Sequence, residues 1–563
     1  MFTFSKLATA AALLSPSVWA TPTKRQLPAE PQGVKTITSP NGVEIRYKEP
    51  GKAGVLLVRL VLPLERGQPA DIIHRYFEAR ENPETAPITL WLNGGPGSDS
   101  LIGLFQELGP CSITEDLKSQ LNPYAWNNVS NMLFLSQPVD VGFSYGRKKE
   151  GYQNPNSGRV LDQPNNATTL PNEGRFSYVD PDRFDSTDIS AVGTWEILQA
   201  FLTNLPKLDN TAKNRTFNLW TESYGGHYGP AFYDYFYQQN ELIGSGEQSG
   251  VHLNMDTLGI INGIIDSLIQ TPYYPEFARF NTYGIKAINE TIYDFMKTAY
   301  YIPGGCHDYI LYCVYSDKRT VAGQRTCQFA TNICRGFVEE PYYYYGGRGV
   351  YDIRHPYDDP TPPDYFEDYL NQAEIQNALG VDLNYTQAYS PFVGRGFART
   401  GDFVYRRFMH DLERILNNGV RVALIYGDAD YICNWFGGEA VSMQLEYEHA
   451  KEFRQAGYEP FMVDGTQYGE VKEYGKFSFM RIYEAGHEVP YYQPKASLEA
   501  FRRVLGNLAL ADGSEAVTPT YQTNGTAETT HTESFVPLPS SASSMSMFAS
   551  SGVPSPVSSA AFL

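Results

Sequence analysis

Residues 216–232, TFNLWTESYGGHYGPAF, constrain the fold more than any other stretch. An apolar run stops abruptly at a serine among glycines, and an aromatic pattern of helical spacing begins at once. A strand that turns directly into a helix holds one hydroxyl at a sharp bend. The arrangement is the G-x-S-x-G turn with Thr221 in place of the first glycine, where only a small residue fits the close backbone approach. Ser223 therefore needs a base, an orienter for that base, and a substrate from elsewhere in the chain.

The surroundings supply a sheet for it to stand on. Runs at 88–93 (ITLWLN), 131–135 (NMLFL), 216–220 (TFNLW), 257–262 (TLGIIN) and 420–426 (VRVALIY) are short, mostly apolar and bounded by Gly, Pro, Asn or Asp. Such runs read as strands buried on both faces. Between them, DSTDISAVGTWEILQAFLTNL (185–205) carries apolar residues at helical spacing behind a capping Asp and Ser/Thr. Alternating strands and helices predict an α/β fold with a mixed, mostly parallel sheet. The rhythm breaks at 270–400, which holds four cysteines, the aromatic run PYYYYGG and the proline-rich RHPYDDPTPPDY. That stretch is expected to be a disulfide-bearing cap inserted between two parts of the core, 31–269 and 401–512. Residues 513–563 are rich in Ser, Thr and Pro and are expected to be disordered.

The N-terminal MFTFSKLATAAALLSPSVWA reads as a secretory signal peptide over 1–20, too short and proline-broken to span a bilayer. Lys24–Arg25 fits equally a dibasic site releasing a pro-segment around 21–30 and a pair of solvated charges. Six N-x-S/T sequons, at Asn128, Asn166, Asn214, Asn289, Asn384 and Asn524, fit a secreted glycoprotein. The terminal SSAAFL is short for the apolar block a lipid-anchor signal requires. Cys306 and Cys313 stand seven apart, as do Cys327 and Cys334. Those spacings are too wide for paired zinc ligands, and an oxidising compartment favours disulfides. A net charge of -19 leaves no basic face for nucleic acid.

Partners for Ser223 follow in the order Ser, Asp, His expected of an α/β-hydrolase. VRVALIYGDADYICNW puts Asp428 and Asp430 just past a strand, and FMRIYEAGHEVPYYQP puts His487 after another. HEVPY is not H-E-x-x-H, so zinc-peptidase chemistry is excluded and no metal or other cofactor is implied.

WLNGGPGSDS (91–100), ELGPC (107–111), NPYAWNNVSNMLFLSQP (122–138), TESYGGHY (221–228), NGIID (262–266), GDADYICNW (427–435) and AGHEVP (485–490) together resemble the serine carboxypeptidase family, above all its fungal secreted branch. The likeness runs from about residue 80 to 510. It implies an α/β-hydrolase fold, Ser223 as nucleophile, His487 as general base and then acid, and Asp430 as its orienter. Asp428 becomes a structural turn residue. Gly95 and Tyr224 match the family's oxyanion hole, and Asn93, Gly94, Glu107 and Glu222 match its binding set for a free C-terminal carboxylate. Two glutamates facing an anion make sense if they are protonated, since like charges in a desolvated site raise a carboxyl pKa. Activity should then fall with rising pH earlier than histidine titration alone requires. The resemblance also implies the nested disulfides Cys306–Cys334 and Cys313–Cys327, and an unpaired Cys433 near the site that is mercurial-sensitive if exposed. His227 reads as a packed residue. The tyrosine-rich run fits a substrate pocket or a plain aromatic core.

The expected reaction is release of C-terminal amino acids from peptides and proteins through an acyl-enzyme, favoured at acidic pH. An esterase or acyltransferase of the same fold, or a non-catalytic secreted glycoprotein, are the alternatives. Retention of Asn93, Glu107 and Glu222 favours the peptidase. Ser98 stands where many relatives have a cysteine. Residues 55–76 lack the cysteine and the Y-x-G-Y strand of relatives, a departure read as a shifted splice boundary or frame. A transcript carrying this same sequence through residues 50–80 would overturn that reading.

Overall fold

The structure is a computed structural model that describes residues 27–38, 44–48, 55–63, 69–154, 158–162, 173–178, 185–359, 361–386 and 389–538. The signal peptide, residues 21–26 of the expected pro-segment with Lys24–Arg25, Asn166, and residues 539–563 of the tail with SSAAFL lie outside these residues. One mixed sheet of twelve strands organises the chain. In chain order the strands are β1 (Lys35–Thr38), β2 (Glu44–Lys48), β3 (Val55–Pro63), β4 (Pro69–Phe77), β5 (Ile88–Leu92) and β6 (Asn131–Leu135), then β7 (Thr216–Glu222), β8 (Asn254–Ile261), β9 (Arg421–Gly427), β10 (Glu459–Val463), β11 (Thr466–Tyr474) and β12 (Phe477–Ile482). Their spatial order is β1-β2-β3-β4-β6-β5-β7-β8-β9-β12-β11-β10. From β6 to β12 the neighbours are parallel. The flanking wings are antiparallel.

The central strands are buried at every position because both faces are covered. Alternation along β5 divides the core. Leu90 and Leu92 join one cluster with helices α1 (Thr187–Leu208) and α2 (Gly225–Ser245), while Trp91 between them enters a second with Trp126 and Phe501. The Ser186 hydroxyl caps α1 by accepting from the Ile189 N–H.

Between β8 and β9 lies a helical layer. Its helices α3 (Cys306–Val314) and α4 (Val321–Cys334) are stapled by disulfides Cys306–Cys334 and Cys313–Cys327, the nested pairing the family resemblance implies. Closing loops of this size restricts the unfolded chain by about 3 kcal/mol. Within the PYYYYGG run, Tyr342 is fully buried and stacks on Tyr431 with ring centroids 3.7 Å apart, so at that residue the aromatic-core reading holds.

Two departures from the family pattern have a structural outcome. Residues 55–63 and 69–77, despite the departures in this region, form the antiparallel strands β3 and β4 that extend the sheet beyond β6. Cys111 is an unpaired half-buried thiol.

The tail expected to be disordered from 513 instead packs on the core as far as residue 538. Thr523 is fully buried, and Thr526 exchanges backbone hydrogen bonds with Tyr458. Arg481, 1% exposed, donates to Thr529 Oγ1 at 2.6 Å and to the His531 carbonyl at 2.7 Å. Arg348 donates to the Val536 carbonyl at 2.7 Å. A Ser/Thr-rich strap needs no apolar periodicity to order, because backbone and hydroxyl groups make its bonds. A chain ended at Asp512 should lose roughly 3 kcal/mol or more, since buried donors on Arg481 and Tyr458 lose their partners. Urea denaturation reads this as a lower midpoint; an unchanged midpoint contradicts it.

Candidate active site

Ser223 sits between the end of β7 and the start of α2 with φ +63°, a left-handed backbone that a non-glycine residue adopts only when its surroundings enforce it. Three hydrogen bonds enforce it. The Ser223 N–H donates to the Ile261 carbonyl at 3.0 Å, and the Ser223 carbonyl accepts from Gly226 and Ile264, each at 2.9 Å. A Cβ on Gly226 would lie 2.2 Å from the Ile264 oxygen, so the glycine is obligatory. Thr221 fits the first-glycine position by turning its hydroxyl to the Gly225 carbonyl at 2.9 Å.

The N-G-G-P-G loop passes directly over this turn. A Cβ on Gly94 would stand 2.3 Å from the Tyr224 nitrogen and 2.9 Å from Ser223 Cβ. Gly95, at φ +101°, then turns the loop away. The backbone of Gly94–Gly95 and that of Ser223–Tyr224 thus form one concave surface.

His487 and Asp430 arrive from loops after β12 and β9. His487 Nδ1 donates to Asp430 Oδ2 at 2.7 Å, and both side chains are almost fully buried. Burial alone would depress the imidazole pKa, but the Asp430 carboxylate overrides it and holds His487 well above its ordinary value. Asn262 donates to the same Asp430 oxygen at 2.7 Å and accepts from the Gly427 N–H at 3.0 Å. It therefore orients the aspartate, a role that the NGIID motif carries but that does not follow from its sequence. Cys433 interacts through its thiol with both His487 and Ser223, so the three side chains lie together. Burial pushes that thiol up to about 11, and at 2% exposed it does not meet the condition set for mercurial sensitivity.

The carboxyl cluster centres on Asn93. Its Oδ1 accepts from Trp91 Nε1 at 2.7 Å and the Gly103 N–H at 2.9 Å, which fixes the amide orientation. Its Nδ2 donates to Glu107 Oε1 at 3.1 Å and Glu222 Oε1 at 3.0 Å. Glu107 Oε2 and Glu222 Oε2 are buried without a hydrogen-bond partner. Burial, with Glu107 adjacent, holds Glu222 well above the usual carboxylate range, and burial raises Glu107 as well. A third acid, Glu488, missed in the sequence, is raised to about 7 by burial, with His487 opposing and Glu107 reinforcing the shift. Both shifts favour the protonated form of a carboxyl in this pair, and the site keeps polar atoms with no protein partner.

Every residue singled out for the site in the sequence lies in this one cluster. Asp428 does not: buried, it accepts from Tyr283 at 2.6 Å and faces Arg481, as expected of a structural residue. His227 is also structural. Its Nδ1 bonds the Ile264 carbonyl at 2.6 Å, and burial depresses its pKa to about 3. Among the described residues the potential metal-ligand group is Asp430, Cys433 and His487, all three already engaged with one another.

The family model described as serine carboxypeptidase matches residues 70–507. The chain belongs to the serine carboxypeptidase family. It is 42% identical over 493 residues to carboxypeptidase S1 homolog A of Arthroderma otae, covering 82% of this chain and 74% of the relative. Carboxypeptidase S1 of Penicillium janthinellum is 36% identical over 76% of this chain and 90% of its own. Among solved structures, the prohormone-processing carboxypeptidase KEX1(DELTA)P of Saccharomyces cerevisiae is similar in fold, with TM-score 0.63 at 21% identity, covering 82% and 93% of the two chains. The fold is that of an α/β-hydrolase, and the family acts on peptide C-termini.

The raised Glu222 pKa sets a pH dependence of stability. The folded state binds the proton more tightly than the unfolded chain, whose value is about 4.5. Its contribution is complete below that pH and is lost as pH rises toward the folded value. Glu222→Gln should therefore lose less stability than the parent between pH 5 and 8. Parallel denaturation curves over that range would contradict this.

Proposed function

We propose that the chain is a secreted serine carboxypeptidase that releases the C-terminal residue of peptides and proteins, with activity favoured at acidic pH. The observation that carries this is the Asn93 amide bridging two buried glutamates, each with an unpaired oxygen, beside Ser223 and His487. A protonated carboxyl and the Asn93 and Gly94 donors suit a substrate carboxylate; an ester or a blocked terminus gains nothing from them.

In this reading Ser223 Oγ attacks the carbonyl of the last peptide bond as its proton passes to His487. The oxyanion is held by the backbone N–H groups of Gly95 and Tyr224. Asp430 stabilises the imidazolium. His487 then gives the proton to the departing amine and the C–N bond breaks, leaving an ester on Ser223. Water, deprotonated by His487, attacks that ester; the proton returns to Ser223 and the shortened peptide acid leaves.

As pH rises and the Glu107–Glu222 proton is lost, two carboxylates face the substrate's own. KM for an N-blocked dipeptide should therefore rise with pH, while kcat, which needs neutral His487, should not fall over the same range. Release of free amino acid between pH 4 and 8 checks this. Ser223→Ala should be inactive, and the C-terminally amidated dipeptide should be cleaved at least 10-fold less efficiently. Equal cleavage of free and amidated forms would favour the esterase reading, and failure of a fluorophosphonate to label the folded parent would favour a binding protein.

Secretion would bring the sequons into play. Asn384 is 4% exposed and its side chain accepts from the Arg175 N–H at 2.8 Å, so a glycan there is incompatible with the fold. Asn289 and Asn524 are exposed. Protein secreted from a eukaryotic host should show glycan-derived mass shifts on peptides carrying Asn289 and Asn524. Occupancy at Asn384 in the folded protein would contradict the assignment.

A further inference from the structure

The oxyanion donor on Tyr224 is a backbone group, and its position depends on where the tyrosine ring is held. That ring is fully buried. One face lies parallel to His227, with centroids 4.4 Å apart, and its edges meet Phe397 and Phe403 at 5.8 and 4.8 Å. The far end of the ring is tied by a hydrogen bond from Tyr224 Oη to Asp402 Oδ1, with the Thr187 hydroxyl beside it.

Asp402 is itself held at both oxygens. Oδ1 accepts from Thr187 Oγ1 at 2.6 Å and Oδ2 from the Thr187 N–H at 3.1 Å, at the first turn of α1. The same short segment grips the residues before α1: Thr400 Oγ1 donates to the Asp185 carbonyl at 2.8 Å, and Arg399 pairs with Asp185 at 2.9 Å. Asp402 is 1% exposed and lies where the chain returns from the helical layer to helix α5 (Arg407–Asn417). A buried carboxylate is costly unless fully bonded, and here it is bonded both to the first turn of α1 and to the Tyr224 ring.

We propose that Asp402 is a positioning residue for hydrolysis: from the returning chain its carboxylate anchors the Tyr224 ring, and through it the Tyr224 backbone N–H that faces the oxyanion. The inference rests on the carboxypeptidase reading and on Tyr224 as an oxyanion donor. It goes beyond that reading by making the oxyanion hole depend on a residue that touches neither substrate nor Ser223. Donors of this kind act only in the transition state, so loosening one lowers kcat and spares substrate binding.

The test is steady-state hydrolysis of an N-blocked dipeptide by Tyr224→Phe, Asp402→Asn and the double variant, with fluorophosphonate labelling rates alongside. Removal of a whole oxyanion donor costs on the order of 100-fold, so a loosened one should lower kcat by about 10-fold. KM should stay within about twofold, as expected for an interaction made only in the transition state. Labelling should slow in step with kcat, since the phosphonyl oxygen occupies the same hole. The double variant should be no slower than the slower single variant, because both changes cut one tie. Asp402→Ala should be slower than Asp402→Asn, whose amide oxygen still accepts from Tyr224. An unchanged kcat in Tyr224→Phe overturns the inference, as do losses confined to KM or losses that multiply in the double variant. Should Asp402→Asn fail to fold, Tyr224→Phe decides alone. An active Ser223→Ala would sink the underlying reading; an inert Ser223→Ala beside a fully active Tyr224→Phe sinks this inference alone.

Discussion

The left-handed backbone of Ser223 is the constraint on which the rest depends. A serine at φ +63° is strained, and it persists because Ile261, Gly226 and Ile264 hold its peptide groups from three sides. Two of those residues belong to the β8 strand end and the loop that follows it, the loop that also carries Asn262. Asn262 in turn holds Asp430, and Asp430 holds His487. The hydroxyl and its base are thus aligned by one continuous line of backbone and side-chain bonds across three neighbouring parallel strands and a fourth beyond them. Parallel strands deliver their C-terminal ends to one edge of the sheet, so the residues of the site share that edge without sharing sequence neighbourhood.

A second constraint is electrostatic. Two buried glutamates and a half-buried third near one histidine would repel if all were ionised. Protonation within the Glu107–Glu222 pair, which burial favours, lowers that cost and turns part of the cluster into a hydrogen-bond donor. Asn93, its amide fixed by Trp91 and Gly103, prevents the two acids from turning away. In the proposed reading, the site selects for a free carboxylate because that group accepts from the protonated acid.

Much of this was legible in the sequence, for identifiable reasons. The run NMLFL at 131–135 is the strand Asn131–Leu135, because a strand covered on both faces writes its burial as continuous apolar residues. Ser223, Asp430 and His487 each follow such a strand, so their order along the chain carried their meeting in space. Asn262, Glu488 and Asp402 were not legible as parts of the site. Asn262 and Asp402 act through partners 168 and 178 residues away. Glu488 reads as an ordinary charge until the fold buries it beside Glu107. The tail was misread for a related reason. Its Ser and Thr pattern reports the lack of an apolar face, but the strap is ordered by backbone carbonyls and hydroxyls that receive Arg481 and Arg348.

Protonation within the glutamate pair is the central claim, and calorimetry reaches it without turnover. Binding of a C-terminal-acid dipeptide to Ser223→Ala at pH 7, measured in buffers of differing ionisation enthalpy, reports protons taken up with the ligand. The structure requires net uptake, approaching one proton where the glutamate pair has begun to ionise, and none in Glu222→Gln. Tight binding of the free carboxylate with no proton uptake in Ser223→Ala would contradict the account.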